Sequence, residues 1–150
     1  MTLSAQVLPA HHRHCDDLFV DAEECVQRGD WAVAATAFGH FHDQINTHFD
    51  AEETLLFPAF EAATGMSSGP TQMMRHEHEQ MRSLLAQLEA ACAAHDGEAY
   101  AGSAETLLML MQQHNMKEEN ILYPMCDQAL GPQAEILGSK LDAMLEKGHA

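Results

Sequence analysis

The chain has little positive charge. Seven Lys and Arg stand against 23 Asp and Glu in 150 residues, for a formal net charge of −16. Such a surface repels phosphate backbones and anionic headgroups, which argues against nucleic acid or a membrane surface as a partner. No apolar run reaches the length of a membrane span. Residues 1–10 lack a basic stretch followed by an apolar one, so no signal peptide is expected and the location reads as cytoplasmic. Cysteine is sparse. Cys15, Cys25, Cys92 and Cys126 form no CxxC pair, so they read as reduced, mostly buried thiols rather than a disulfide framework. Several catalytic patterns are missing as well. There is no Gly-rich phosphate loop and no nucleophile elbow. Residue 80 in His76-Glu77-His78-Glu79-Gln80 is glutamine, so the HExxH pattern of zinc proteases is absent.

Strand alternation is also lacking, and what replaces it is helical. Ala, Leu, Glu, Gln and Met dominate, and apolar residues recur at steps of three and four. Four breaks divide the chain: Gly29-Asp30, the Gly- and Ser-rich stretch 65–70 ending in Pro70, Asp96-Gly97 and Gly131-Pro132. The implied helices run roughly over 4–28, 31–64, 70–95 and 98–128, with a shorter one near 132–147. Long helices joined by short turns predict an all-α fold. The form expected is an antiparallel up-down-up-down four-helix bundle with a short extra C-terminal helix, in one domain spanning 1–150.

The second and fourth helices contain a repeat. His48-Phe-Asp-Ala-Glu52-Glu53-Thr-Leu55-Leu56-Phe57-Pro58 aligns with His114-Asn-Met-Lys-Glu118-Glu119-Asn-Ile121-Leu122-Tyr123-Pro124 at an offset of 66 residues, with five of eleven positions identical. The same offset carries His12 onto His78. The chain therefore reads as two helical hairpins of one pattern, with two equivalent half-sites facing each other. Pro58 and Pro124 read as kinks or helix ends that let the bundle close.

Residues four apart share a helix face. His48 and Glu52 fall on the stripe of Ile45 and Leu55, and His114 and Glu118 on that of Leu107, Met111 and Ile121. His78 falls with Met74, Met81 and Leu85, and His12 with Leu8, Cys15 and Phe19. Glu53 and Glu119 fall off their stripes. Four histidines and two glutamates thus project toward the bundle axis. Buried carboxylates cost several kcal/mol each unless compensated, and metal cations are the compensation that suits neighbouring imidazoles. Two bridging carboxylates can join two ions, each held by two histidines. Mixed nitrogen and oxygen donors suit iron or manganese better than a structural zinc. In the first helix His11 and His14 compete with His12; the flanking residues of His12 match those of His78. The methionines read as core filler, and His40, His42, His95 and His149 as surface or supporting residues.

The set His12, His48-xxx-Glu52-Glu-x-x-Leu-Phe-Pro, Glu77-His78 and His114-xxx-Glu118-Glu-x-x-Leu-Tyr-Pro resembles the hemerythrin family, in its HHE cation-binding branch, over roughly residues 8–127. The resemblance implies two non-haem iron ions bridged by carboxylates and an oxo or hydroxo group. His12, His48, His78 and His114 would be terminal ligands, and Glu52 and Glu118 the bridges. Oxygen-carrying hemerythrins use a third-helix HxxxH and an aspartate in the last motif. Here the residue four after His78 is Arg82, the residue four before it is Met74, and the last carboxylate is Glu118. One fewer histidine would leave the two irons more alike. Glu77, beside His78, is a candidate extra carboxylate ligand, although adjacent helical residues point about 100° apart. The implied function is binding or sensing of oxygen or nitric oxide, with output through a separate protein partner. The same scaffold also suits a redox enzyme or stress protein acting on nitric oxide or peroxide, or donating iron for iron–sulfur repair; metal storage is a further reading. The helix near 132–147 either covers the bundle end or mediates dimerisation.

Overall fold

The structure is a computed structural model that describes residues 7–147, so residues 4–6 of the expected first helix and His149 lie outside the described residues. Among the described residues every regular element is a helix. The first helix is Leu8–Gln27. The second runs as an α-helix over Trp31–Ala51, a π-helical turn over Glu52–Leu56, and an α-helix over Phe57–Thr64. The third is Pro70–Ala93. The fourth repeats the form of the second: Gly97–Lys117, a π turn over Glu118–Leu122, then Tyr123–Leu130. A fifth, Gln133–Lys147, follows.

The helix ends are set by local chemistry. Asp30 and Asp96 cap the second and fourth helices, their carboxylates accepting from the amides of Val33 (3.4 Å) and Ala99 (3.0 Å). Gly29 closes the first helix at φ +72°, a left-handed conformation that glycine adopts without steric cost. At the equivalent turn of the second hairpin His95 takes φ +56°, and its ring stacks on Trp31 at 5.2 Å. Pro70 opens the third helix, where a missing amide proton costs nothing.

The first helix packs chiefly on the second and the third on the fourth; the two pairs join through first-to-fourth and second-to-third contacts. The fifth helix packs on the second helix and the segment after the fourth helix's π turn, burying Ala134, Leu141 and Leu145. It covers one end of the bundle. The apolar core is in two parts. One, from Cys15 through Phe41 and Leu85 to Met111, fills the turn-29 end; the other, with Leu8, Leu56, Phe60, Leu122 and Leu141, fills the end under the fifth helix. Between them lies a buried polar layer of His11, His12, Gln44, His48, Glu52, His78, His114 and Glu118. All four cysteines are free and buried.

The π turns correct the expected stripes. In each, the amide of the residue after the turn donates five residues back, Phe57 to Glu52 and Tyr123 to Glu118, instead of four. One extra residue per turn rotates everything downstream by about 100° relative to an unbroken α-helix. Leu56 and Leu122 lie in the core, at 0% and 2% exposure, and Phe57 and Tyr123, five residues after the glutamates, turn inward beside them. Leu55 is only half-buried, and Ile121, expected inside, is 57% exposed. Pro58 and Pro124 fall just after the turns, at the start of the resumed α-helices, where their missing amide protons are tolerated.

Truncation distinguishes the two registers. Leu56→Ala or Leu122→Ala is expected to cost about 2–5 kcal/mol in denaturant unfolding, whereas Ile121→Ala costs under about 0.5 kcal/mol. A loss at Ile121 as large as that at Leu122 would restore the expected stripe.

Candidate metal centre

The six residues singled out on the stripes meet in the polar layer. They form two overlapping donor groups, His12, His48, Glu52 and Glu118, and Glu52, His78, His114 and Glu118, the donor atoms of each lying within 4.8 Å of one another. Both groups share the two glutamates. In each histidine Nε2 points inward: His12 Nε2 lies 3.1 Å from Glu118, His48 Nε2 3.5 Å from Glu52, His78 Nε2 3.0 Å from Glu52 and His114 Nε2 3.2 Å from Glu118. Several of these contacts are close without the alignment of a hydrogen bond. Glu52 Oε1, Glu118 Oε2, His78 Nε2 and His114 Nε2 are buried and have no hydrogen-bond partner. Orphaned buried donors and acceptors are costly, and here they converge. This is the donor set and arrangement a cation needs, so the residues present fit a metal site.

The outward nitrogens are also held. Nδ1 of His12 meets Glu119 at 2.7 Å, Nδ1 of His78 meets Glu53 at 2.6 Å and Nδ1 of His114 meets Glu77 at 2.8 Å. Such partners orient an imidazole and keep its other nitrogen available. Nδ1 of His48 meets Nδ1 of His11 at 2.9 Å, and His11 Nε2 meets the Gln44 carbonyl oxygen at 3.0 Å. An amide oxygen only accepts. His11 therefore donates from Nε2, and in its singly protonated form it accepts at Nδ1 from Nδ1 of His48.

Sequence reasoning did not assign these outer roles. Glu53 and Glu119 fall off the stripes, yet each is the residue after a candidate bridge and turns back onto a histidine of another helix. Glu77 belongs to neither donor group. It accepts from His114 and from Lys117. His11 supports His48, while half-buried His14 contributes to neither donor group. Arg82, in the place of the absent third-helix histidine, donates to Glu53 at 2.8 Å and to Asp50 at 3.2 Å. Tyr123 was also missed. Its buried hydroxyl shares its one proton between Glu52 (2.6 Å) and Glu118 (2.9 Å). The identity of partners across an offset of 66 residues was the available signal: Glu53 maps onto Glu119 as His78 maps onto His12.

Charge in the layer follows from these contacts. Burial alone would depress the histidines, but the carboxylates outweigh it and raise His12 to about 9 and His114 to about 10, with His78 also raised. His48 is lowered, because burial dominates there. Glu52 is also buried, yet the surrounding imidazoles hold it well below the usual carboxylate range. Glu53 is held at about 2 against its burial by His78 and Arg82, and Glu77 at about 2 chiefly by its bond to His114. In the absence of a metal, protons on the histidines supply the positive charge the two glutamates require.

This gives the metal-free chain a two-sided pH dependence. The raised histidines contribute stability that is complete below their ordinary 6.5 and is lost as pH rises through 9 to 10. The depressed Glu53 and Glu77 contribute stability that is present above 4.5 and is lost as pH falls toward 2. The melting temperature of metal-free protein is expected to fall on both sides of that window, and a flat profile from pH 7 to 11 would contradict the pairing.

No helix among the described residues is long and apolar enough to cross a membrane. No curated protein and no solved structure matches the chain. The family model described as hemerythrin HHE cation binding domain matches residues 4–126, which include all six donor residues and every outer partner named above. The chain belongs to the hemerythrin HHE cation-binding family.

Proposed function

We propose that the chain holds two iron ions in the polar layer and binds a diatomic ligand, oxygen or nitric oxide, beside them. His12 and His48 would hold one ion and His78 and His114 the other, with Glu52 and Glu118 bridging. The observation that carries this reading is the pair of donor groups sharing two fully buried glutamates. Each ion would receive two nitrogens and two oxygens, short of the six ligands iron commonly takes, so positions stay open. Iron would supply reversible electron transfer and affinity for diatomic ligands at those positions.

The protein's own contribution is access, shape and fixed polarity. A void of about 10 Å³ touches His12 and His48 and is otherwise lined by Cys15, Ile45, Phe49, Met81, Met111 and Asn115. A space of that size admits about one water-sized molecule. Apart from His12, His48 and Asn115 its lining is apolar, which favours a neutral diatomic over an ion or an organic substrate. The helices keep the imidazoles in place through Glu53, Glu77, Glu119 and His11, and the two apolar clusters on either side exclude bulk water.

Three outcomes test the reading. Glu52→Ala or Glu118→Ala is expected to lower iron content to one per chain or none, and two irons retained would remove the bridging role. His12→Ala loses iron while His11→Ala keeps it with weaker affinity, by about 10–100-fold as for other outer partners of metal-bound histidines; the reverse order would exchange their roles. A sensor forms one stable adduct with nitric oxide, whereas consumption of many equivalents in the presence of a reductant would make the centre an enzyme.

A further inference from the structure

The repeat that relates the two hairpins holds for the six donor residues and breaks around them, behind His48, where His11 and its partner Gln44 stand for Glu77 and Leu110, and beside the donors, where Tyr123 stands for Phe57. The position equivalent to Glu77 is His11, and the position equivalent to Phe57 is Tyr123. Both breaks fall on the same donor group. Glu77 supports His114, while His11 supports His48. The Phe57 ring lies against His78 at 5.7 Å and offers no donor atom. The Tyr123 hydroxyl oxygen lies 3.2 Å from His12 Nε2, 3.5 Å from His48 Nε2, 2.6 Å from Glu52 Oε2 and 2.9 Å from Glu118 Oε1. It therefore neighbours a donor atom of every member of that group. Adjacent ligand atoms around an ion with bond lengths near 2.1 Å sit about 3 Å apart.

Resting on the two-ion reading above, we propose that Tyr123 is a seventh protein ligand, binding through its phenolic oxygen the ion held by His12 and His48 and not the other. The charge pattern agrees. Glu77 places a negative charge behind His114, and His11, an imidazole in the equivalent place, puts no negative charge behind His48. A phenolate on the His12–His48 side restores the balance. Without an ion the phenol shares its one proton between two carboxylates. A cation takes up the lone pairs of those carboxylates, and the phenol oxygen turns to the cation while its proton leaves to solvent. The two metal positions are thereby unlike, despite the symmetry of the six other ligands.

Ferric iron bound to a phenolate absorbs visible light by charge transfer and shows ring modes in resonance Raman spectra. The test uses the full chain loaded anaerobically with two equivalents of ferrous iron, oxidised with ferricyanide and desalted. Wild type is expected to show the band and the ring modes. Tyr123→Phe is expected to lose both while circular dichroism stays helical and at least one iron remains, and Phe57→Tyr to roughly double the band. Two ferric ions in wild type with no phenolate modes would overturn the ligation and leave the two-ion reading standing. A band that persists in Tyr123→Phe would likewise overturn it. No iron uptake by folded wild type would overturn both. Because the wild-type Raman spectrum decides alone, failure of a variant to fold does not shield the proposal.

Discussion

Glu52 and Glu118 place two negative charges with no solvent exposure on facing helices, and the rest of the layer answers that charge. Burying a carboxylate without compensation costs several kcal/mol. Four imidazoles surround the pair, and outside them stand Glu53, Glu77, Glu119 and His11, three of these outer groups being carboxylates. In the metal-free chain the compensation is protonic, which is why His12 and His114 sit so far above the ordinary histidine value. Protons and cations then compete for the same charge, so metal binding and folding are linked. The layer splits the apolar core in two.

The π turns are part of the same design. Each starts at a shared glutamate and ends one residue before the aromatic that faces the layer, Phe57 or Tyr123. The extra residue lets a glutamate four residues after a histidine share its face while the aromatic five residues further on also turns inward. In an unbroken helix Phe57 and Tyr123, five residues after the glutamates, would be rotated by about 140° away from the carboxylates. The sequence sign of this arrangement is the proline just after each turn, which reads equally well as a kink.

The fold was legible because its signals are redundant. Aspartate caps, glycine at a left-handed position, a proline at a first helical position and the three-and-four spacing all place the same helices. The six inward residues were legible for a related reason: an internal repeat doubles each signal and singles out, among several first-helix histidines, the one equivalent to His78. The outer partners were not. Glu53 and Glu119 belong by spacing to a solvated face, and only the packing of neighbouring helices brings them onto His78 and His12. The register after residue 52 was also hidden, since a single inserted residue leaves no mark in composition. Tyr123 was lost with it, because its alignment with Phe57 reads as a conservative exchange of aromatics. The structure shows that this exchange falls on the His12–His48 donor group, as does that of His11 for Glu77.

The central claim is that two ions stand where the six side chains converge. The direct measurement is metal content per chain on protein purified without oxygen, read together with absorption spectra before and after exposure to air and to nitric oxide. Two irons per chain, with spectra that change on both exposures, is the expected result. A folded helical protein that carries zinc or no metal, and takes up no iron, would contradict the account.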